Sequence, residues 1–200
     1  MTRGRTSVYT QGIVTSALAP GFLVAAPPLG DPNFDRSVVL VAAHGAEGAF
    51  GWVINGREVM TLAELLVHAA ITKAAADLVG SVRVGGPVSP EQVWLVYREQ
   101  NRFRDIEEQF EVGPGVLACA SRRVLEVIAG DGAPPNLFGL VGYAGWAPGQ
   151  LENEIRVGAW LPVDLDLGLV FDEPRDKLWQ RAYERAGTTP MAFSSRVGLA

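Results

Sequence analysis

The polar residues Asp31, Ser37 and His44 are the types of side chain that hydrolytic enzymes use. In a catalytic interpretation, Ser37 is the nucleophile, His44 is its base, and an aspartate orients the imidazole ring. In a structural interpretation, Asp31 precedes a proline in a turn, Ser37 opens a strand, and His44 is a solvated residue at a hairpin tip. No spacing in the sequence fixes a triad, so we favour the structural interpretation and keep a hydrolase-like enzyme as the alternative.

Four further residues beside turns are candidates for binding a ligand or a partner. Arg36 lies inside the same polar cluster, and Asn55 follows a strand that is expected to pair with it. Gly85 and Gly86 follow a short apolar run, where consecutive glycines let backbone N–H groups approach an anion. They also allow a tight turn with positive φ before Pro87, and turn chemistry favours this second interpretation.

The segment 142–155 is the most informative stretch of the chain. Trp146 is a large amphipathic ring in a glycine-rich turn, and Gln150 offers a donor and an acceptor near a helix start. Such a helix start can bind an anion, but Glu152 and Glu154 already complement the helix dipole there. Trp146 equally suits the core or a subunit interface. The segment predicts a strand–loop–helix junction, with Trp146 and Gln150 as candidate recognition residues.

Composition narrows the classes of function. The 200 residues carry a net charge of −5 with a pI near 5.1, which disfavours direct binding to nucleic acid. Cys119 is the only cysteine, so the chain forms no internal disulfide, and a reduced, cytoplasmic setting is expected. Phosphate-loop, dinucleotide and zinc-protease motifs are absent, so no metal and no cofactor are predicted. No apolar stretch approaches the roughly 20 residues of a membrane span.

Short apolar runs between turn residues predict strands, and helical spacing predicts helices. Strands are expected at 22–26, 37–43, 49–54, 82–84, 92–97, 116–120, 137–143 and 167–171. Helices are expected from 61 toward 79, after Ser121, after the 142–149 loop and from near Asp172, with a loop at 98–108. Hairpin-like spacing makes the early strands antiparallel, which favours an α+β class. We expect a flexible leader at 1–12, one domain over 13–187 and a tail at 188–200.

Four blocks of the sequence resemble the YqgE/AlgH family, in the family's own order. They are Phe22-Leu-Val-Ala-Ala-Pro-Pro-Leu-Gly-Asp-Pro-Asn-Phe-Asp-Arg-Ser-Val-Val39, Gly48-Ala-Phe-Gly-Trp-Val-Ile-Asn55, Gly85-Gly-Pro-Val88 and 142–155. The resemblance implies a single α+β domain of coiled, largely antiparallel β-sheets, with a small partly closed barrel and flanking helices. It also implies an intracellular bacterial protein from a family that is often labelled as transcriptional regulators, without a recognised DNA-binding motif.

Two positions depart from the family's pattern. Gly56-Arg57 stands where the family has a basic residue followed by proline, and the strand at 93–97 lacks the family's histidine. A histidine-dependent reaction at that strand is therefore disfavoured, and the resemblance transfers no catalytic residue. We predict a non-enzymatic binding or regulatory protein that acts through an unknown protein partner or a small ligand near Trp146, without membrane association.

Overall fold

Apolar runs of the chain form a ten-stranded sheet in the computed structural model, which describes residues 18–27, 29–71 and 78–197. The strands are β1 (Gly21–Ala25), β2 (Val38–Gly45), β3 (Gly48–Val53), β4 (Glu58–Thr61), β5 (Ser81–Val84), β6 (Val88–Arg98), β7 (Gln109–Gly113), β8 (Val116–Cys119), β9 (Phe138–Trp146) and β10 (Trp160–Asp164). The helices are α1 (Leu62–His68), α2 (Arg122–Asp131), α3 (Gln150–Arg156), α4 (Leu167–Phe171), α5 (Leu178–Arg185) and α6 (Pro190–Val197). The predicted leader lies outside the described residues, and α6 occupies most of the segment predicted as a tail.

The strands are arranged in the order β10-β1-β2-β3-β9-β6-β8-β7, with β4 and β5 branching from this path. All neighbouring pairs are antiparallel except β5 with β9, which are parallel. The strand expected at 137–143 is β9, and it is central because it pairs with β5 and β6 over its first part and with β3 over its last part. The sheet curls into a half-barrel with flanking helices, which confirms the predicted α+β class.

Helix α1 begins where the sequence predicts it, at a capping box formed by Thr61 and Glu64. Thr61 Oγ1 accepts from the backbone N–H of Glu64, and the Glu64 carboxylate accepts from the backbone N–H of Thr61. The helix ends at His68, earlier than expected, because Ala70 takes a left-handed φ of +54°. Residues 72–77, which the prediction also included, lie outside the described residues.

The run at 167–171 forms helix α4, so the strand predicted there is wrong. Asp166 caps this helix, since its Oδ1 accepts from the backbone N–H of Leu169 at 3.1 Å. Leu169 and Val170 are buried in the core beside α5. A turn follows, and α5 therefore begins at Leu178 instead of near Asp172.

Both faces of β1 are buried, so this strand contributes to two apolar cores. Phe22 and Val24 lie in the first core, with residues of β2, β3, α4 and α5. Leu23 and Ala25 lie in the second core, which α3 and the end of β9 cover. A third core joins β5, β6 and β8 to α1 and α2. In the described part of the chain, no helix is long and apolar enough to cross a membrane.

Candidate functional site

The structure separates the residues of the predicted hydrolytic cluster. Ser37 directly precedes β2, and His44 lies seven residues later, near the far end of the same strand. At about 3.3 Å per strand residue, their backbones are roughly 20 Å apart, which is far beyond hydrogen-bond reach. Asp31 Oδ1 accepts from the backbone and side-chain N–H groups of Asn33 in its own loop. These three residues therefore form no nucleophile–base–acid arrangement.

His44 is buried, with 6% of its surface exposed, so the prediction of a solvated residue is wrong. Its Nε2 atom lies 2.9 Å from Oε1 of Glu152, which α3 supplies from 108 residues further along the chain. The pKa of the Glu152 carboxyl lies below its ordinary value of 4.5, first because it accepts from its own backbone N–H, and then because of His44. His44 thus ties the β2–β3 hairpin to α3.

The candidate recognition residues Trp146 and Gln150 both contact one carboxylate, that of Glu154. Trp146 Nε1 donates to Glu154 Oε2 at 2.8 Å, and Gln150 Nε2 donates to Glu154 Oε1 at 2.8 Å. A second indole, that of Trp160, donates to Glu154 Oε2 at 2.7 Å. Gln150 also closes the turn before α3, because its Oε1 accepts from the backbone N–H of Ala147 at 3.0 Å. The carboxylate therefore joins β9, α3 and β10.

Phe34 packs on the two indoles of this network. Its ring centroid lies 6.3 Å from that of Trp146 in a stacked arrangement, and 5.5 Å from that of Trp160 in an edge-to-face arrangement. Trp146 is only 7% exposed, so its ring is a part of the second core. Packing therefore explains the shape of this junction.

Gly85 and Gly86 are buried against β9. A Cβ at Gly85 would lie 2.6 Å from the carbonyl oxygen of Gly142, and one at Gly86 would lie 2.2 Å from the carbonyl carbon of Tyr143. Gly86 also has a φ of +153°, which side chains rarely adopt. The close approach of the backbone at Gly85 and Gly86 to that of β9 therefore explains why both residues are glycines.

Asn55 shapes the turn that leads into β2. Its Oδ1 accepts from the backbone N–H of Val38 at 2.8 Å, and its Nδ2 donates to the carbonyl oxygen of Arg36 at 2.9 Å. The amide therefore brackets Ser37 and holds Arg36 in a left-handed conformation with φ of +49°. Ser37 is itself 3% exposed, and its hydroxyl has no partner among the described residues.

A cleft of about 530 Å³ lies where this turn faces helix α5. We call it the end cleft, and it is lined by Asp35, Arg36, Asn55, Arg175, Asp176, Trp179, Gln180, Tyr183, Glu184, Thr188, Thr189 and Pro190. It collects two of the residues predicted from the sequence, Arg36 and Asn55. The α5 side of the cleft was not predicted from the sequence, although Trp179 and Tyr183 share one helical face by their spacing of four residues.

Aromatic side chains fix the position of α5 beside the cleft. Trp179 Nε1 and the Tyr183 hydroxyl both donate to the carbonyl oxygen of Ala25, at 2.8 and 3.1 Å. Burial raises the pKa of Tyr183 to about 12, so its phenol remains a donor at neutral pH. The guanidinium carbon of Arg36 lies 5.8 Å from the centroid of the Trp179 ring, within range of a cation–π contact.

Charged side chains without ion pairs face the end cleft. Within the described residues, Asp35, Arg36 and Asp176 have no side-chain hydrogen bond or salt bridge, and Arg175 makes a long hydrogen bond of 3.3 Å to the carbonyl oxygen of Gly56. These groups are exposed and can contact a ligand. Over the same described ranges, no three His, Cys, Asp or Glu side chains are grouped so as to hold a metal ion.

Comparison with known sequences relates the chain to one group of proteins. A family model described as AlgH-like matches residues 22–191. A UPF0301 protein of Anaeromyxobacter sp. is 44% identical over 184 residues, which cover 89% of this chain and 92% of the relative. A UPF0301 protein of Stenotrophomonas maltophilia is 36% identical over 176 residues, which cover 88% and 92%.

Solved structures show the same architecture. The solution structure of the AlgH protein from Pseudomonas aeruginosa matches with a TM-score of 0.71 and 28% identity, covering 91% of this chain and 96% of that protein. The crystal structure of a protein from Corynebacterium diphtheriae matches with a TM-score of 0.66 and 22% identity, covering 86% and 90%. The second likeness concerns the fold alone.

Proposed function

The chain belongs to the AlgH-like family, and from this premise we propose that it is a non-enzymatic binding protein with a regulatory role, whose ligand-binding site is the end cleft. The observation that carries the proposal is the pair Arg36 and Arg175, which line one cleft and make no ion pair among the described residues. Guanidinium groups that line a cleft and make no ion pair are suited to bind a ligand.

The separation of Ser37 from His44 supports a non-enzymatic function. A serine nucleophile needs a base within about 3 Å, and these two residues lie at opposite ends of β2. The Ser37 hydroxyl is also buried, so a substrate cannot reach it without rearrangement of the chain. The geometry therefore favours binding over hydrolysis by this cluster.

The proposed regulatory role comes from the family resemblance, because members of this family are often labelled as transcriptional regulators. Direct contact with DNA is disfavoured, because the net charge is −5 and the end cleft contains three carboxylates beside its two arginines. We therefore propose that any regulatory effect passes through a small ligand, or through a protein partner that responds to it. We also propose a cytoplasmic location, with which the single, buried and unpaired Cys119 agrees.

Ligand capture from cell extract tests this function. Recombinant protein is incubated with a small-molecule extract, washed and analysed by native mass spectrometry, beside the variant Arg36→Asn, which tolerates the left-handed φ of this position. We expect a small molecule to be retained by the original protein and lost with the variant. Equal retention by both proteins would contradict the assignment of the end cleft as the site.

Hydrolysis is tested separately with chromogenic ester substrates. We expect no turnover above the level of the Ser37→Ala variant, because the Ser37 hydroxyl has no partner among the described residues. Turnover that Ser37→Ala abolishes, and that His44→Gln also abolishes, would replace the binding function with the hydrolytic alternative.

A further inference from the structure

Three arginines gather around the segment that follows β3. Arg175 Nη1 donates to the carbonyl oxygen of Gly56, and Arg83 Nη1 donates to the carbonyl oxygen of Ile54 at 2.9 Å. Arg36 meets the same segment through its backbone, because the Asn55 side chain donates to the Arg36 carbonyl oxygen. The side chains of Arg36 and Arg175 both line the end cleft, so two positive charges face it.

A third arginine, Arg83, is close enough to Arg175 for their charges to interact. Burial lowers the pKa of Arg83 below its ordinary value, and the charge of Arg175 lowers it further, whereas Glu58 acts in the opposite direction. Arg83 also lies over the Phe138 ring, 4.7 Å from its centroid, and it is not among the residues that line the cleft. Its positive charge adds to that of Arg175 near the cleft.

The carboxylates of the cleft limit how much negative charge a ligand can carry. Asp35 adjoins Arg36 and Asp176 adjoins Arg175, so each lining arginine has an acidic chain neighbour. The remaining carboxylate, Glu184, accepts from Arg181 at 2.7 Å and from Gln180 at 3.0 Å. These carboxylates would repel a ligand with several negative charges. A ligand with one negative charge can pair with the two arginines and is repelled less.

Size and polarity define the rest of the ligand. The volume of about 530 Å³ lies in the range of small-molecule sites. The half-buried indole of Trp179 offers a flat apolar surface, and Gln180 and Thr188 offer hydrogen-bonding groups along the α5 side. These features suit a molecule with a planar or apolar body and one anionic group.

We propose that the end cleft binds a small organic monocarboxylate, with its carboxylate held by Arg36 and Arg175 and its apolar body against Trp179. The inference rests on the proposed function, since it names the ligand class of the same site. A guanidinium can bind a carboxylate through two parallel N–H···O bonds, which gives orientation as well as affinity.

Three matched probes of one shape test the ligand class: benzoate, neutral benzamide and phenyl phosphate. Each is titrated into isotope-labelled protein, and binding is followed through the NMR signals of the Trp179 indole N–H and of the backbone at Arg36 and Thr188. We expect benzoate to bind at least about tenfold more tightly than benzamide, because charge-assisted hydrogen bonds are lost with the amide. Equal binding of benzamide, or tighter binding of phenyl phosphate, would overturn the monocarboxylate class.

Two variants test the residues, and a third is their control. We expect Arg36→Asn and Arg175→Gln each to weaken the binding of benzoate by about tenfold or more, and the binding of benzamide by much less. Arg123 is an exposed arginine of α2 that does not line the cleft, so Arg123→Gln is expected to leave the binding of benzoate and of benzamide unchanged. If Arg36→Asn fails to fold, Arg175→Gln still tests the site. An unchanged ratio of benzoate affinity to benzamide affinity in Arg175→Gln would overturn the proposal that Arg175 holds the carboxylate.

The same titrations separate the failure of the ligand class from the failure of the proposed function. If benzamide binds as well as benzoate and shifts the Trp179 and Thr188 signals, the end cleft remains a binding site and only the carboxylate assignment is lost. If no probe shifts those signals at millimolar concentration, and extract capture also retains nothing, the end cleft itself is excluded.

Discussion

The indoles of Trp146 and Trp160 donate to the same carboxylate oxygen, Glu154 Oε2, at 2.8 and 2.7 Å. Their ring centroids lie 5.9 Å apart with an edge-to-face angle of 79°. Three segments of the chain, the end of β9, helix α3 and the start of β10, therefore meet at one acceptor. This arrangement explains why a tryptophan, a glutamine and a glutamate occur together in the 142–155 segment.

Replacing the shared acceptor tests how much of the fold depends on it. In Glu154→Ala, two buried indole N–H groups lose their partner, so we expect the free energy of unfolding to fall by about 2–4 kcal/mol, since each such bond to a charged group contributes about 1.5–3 kcal/mol at most. Urea unfolding followed by tryptophan fluorescence measures this change. Glu107→Ala, an exposed residue without a described contact, is the control, and an equal effect of both variants would contradict the structural role.

The contact between His44 and Glu152 makes a prediction about acid stability. Because the pKa of Glu152 is lowered in the folded protein, the unfolded chain binds more protons in acid, and stability rises with pH. The contribution is complete above the ordinary value of 4.5 and is lost as the pH falls through the folded-state pKa. Glu152 is 45% exposed, so we expect less than about 1 kcal/mol.

The measurement compares urea unfolding of the original protein and of Glu152→Gln between about pH 3 and pH 7. The two stabilities are expected to differ near neutral pH and to converge in acid. The control Glu107→Gln should run parallel to the original protein throughout. A difference between the Glu152 variant and the original protein that stays constant, or widens, in acid would show that the folded-state pKa is not lowered.

Close approach of Gly86 to β9 predicts a large difference between two glycine substitutions. In Gly86→Ala the new Cβ would lie 2.2 Å from Tyr143, at a φ of +153°, so we expect a loss of about 3 kcal/mol or more, or no soluble protein. Gly130 lies in α2, where an added methyl group would meet nothing within 4 Å, and Gly130→Ala should stabilise the protein by up to about 1 kcal/mol. Thermal melting measures both, and tolerance of Gly86→Ala would contradict the described packing.

Elements with a clear apolar pattern could be predicted from the sequence. The hairpin of β2 and β3 follows from two apolar runs separated by a short glycine-containing turn. The run at 167–171 misleads because a five-residue apolar run suits a strand or a helix equally, and the cap at Asp166 decides for a helix. Three strands, β4, β7 and β10, escape prediction. β4 has only four residues, polar residues alternate with apolar ones along β7, and Pro162 interrupts the apolar run of β10.

The candidate sites depend on contacts between distant segments, which local pattern cannot supply. His44 meets Glu152 across 108 residues, and nothing near His44 in the sequence indicates burial. The end cleft likewise needs the turn at Arg36 and helix α5 to face each other, so only its Arg36 and Asn55 side could be predicted. The sequence indicates Trp146 and Gln150 as special residues, whereas their common partner Glu154 emerges only from the structure.

The bracket that Asn55 forms around Ser37 leads to a prediction that links stability to the end cleft. Asn55 accepts from the Val38 N–H and donates to the Arg36 carbonyl oxygen, so Asn55→Ala removes two hydrogen bonds at once. We expect a loss of about 1–3 kcal/mol in the free energy of unfolding. Arg36 should also leave its left-handed conformation, which moves its guanidinium from Trp179.

Asn55→Asp separates the two bonds, because the carboxylate keeps the acceptor for Val38 and loses the donor to Arg36. We expect this variant to retain much of the stability and to lose benzoate binding, since Arg36 is released and a negative charge is added at the cleft wall. Chemical denaturation and the benzoate titration measure the two effects on the same samples. Full benzoate affinity in Asn55→Asp would show that the position of Arg36 does not depend on this amide, and that the bracket serves stability alone.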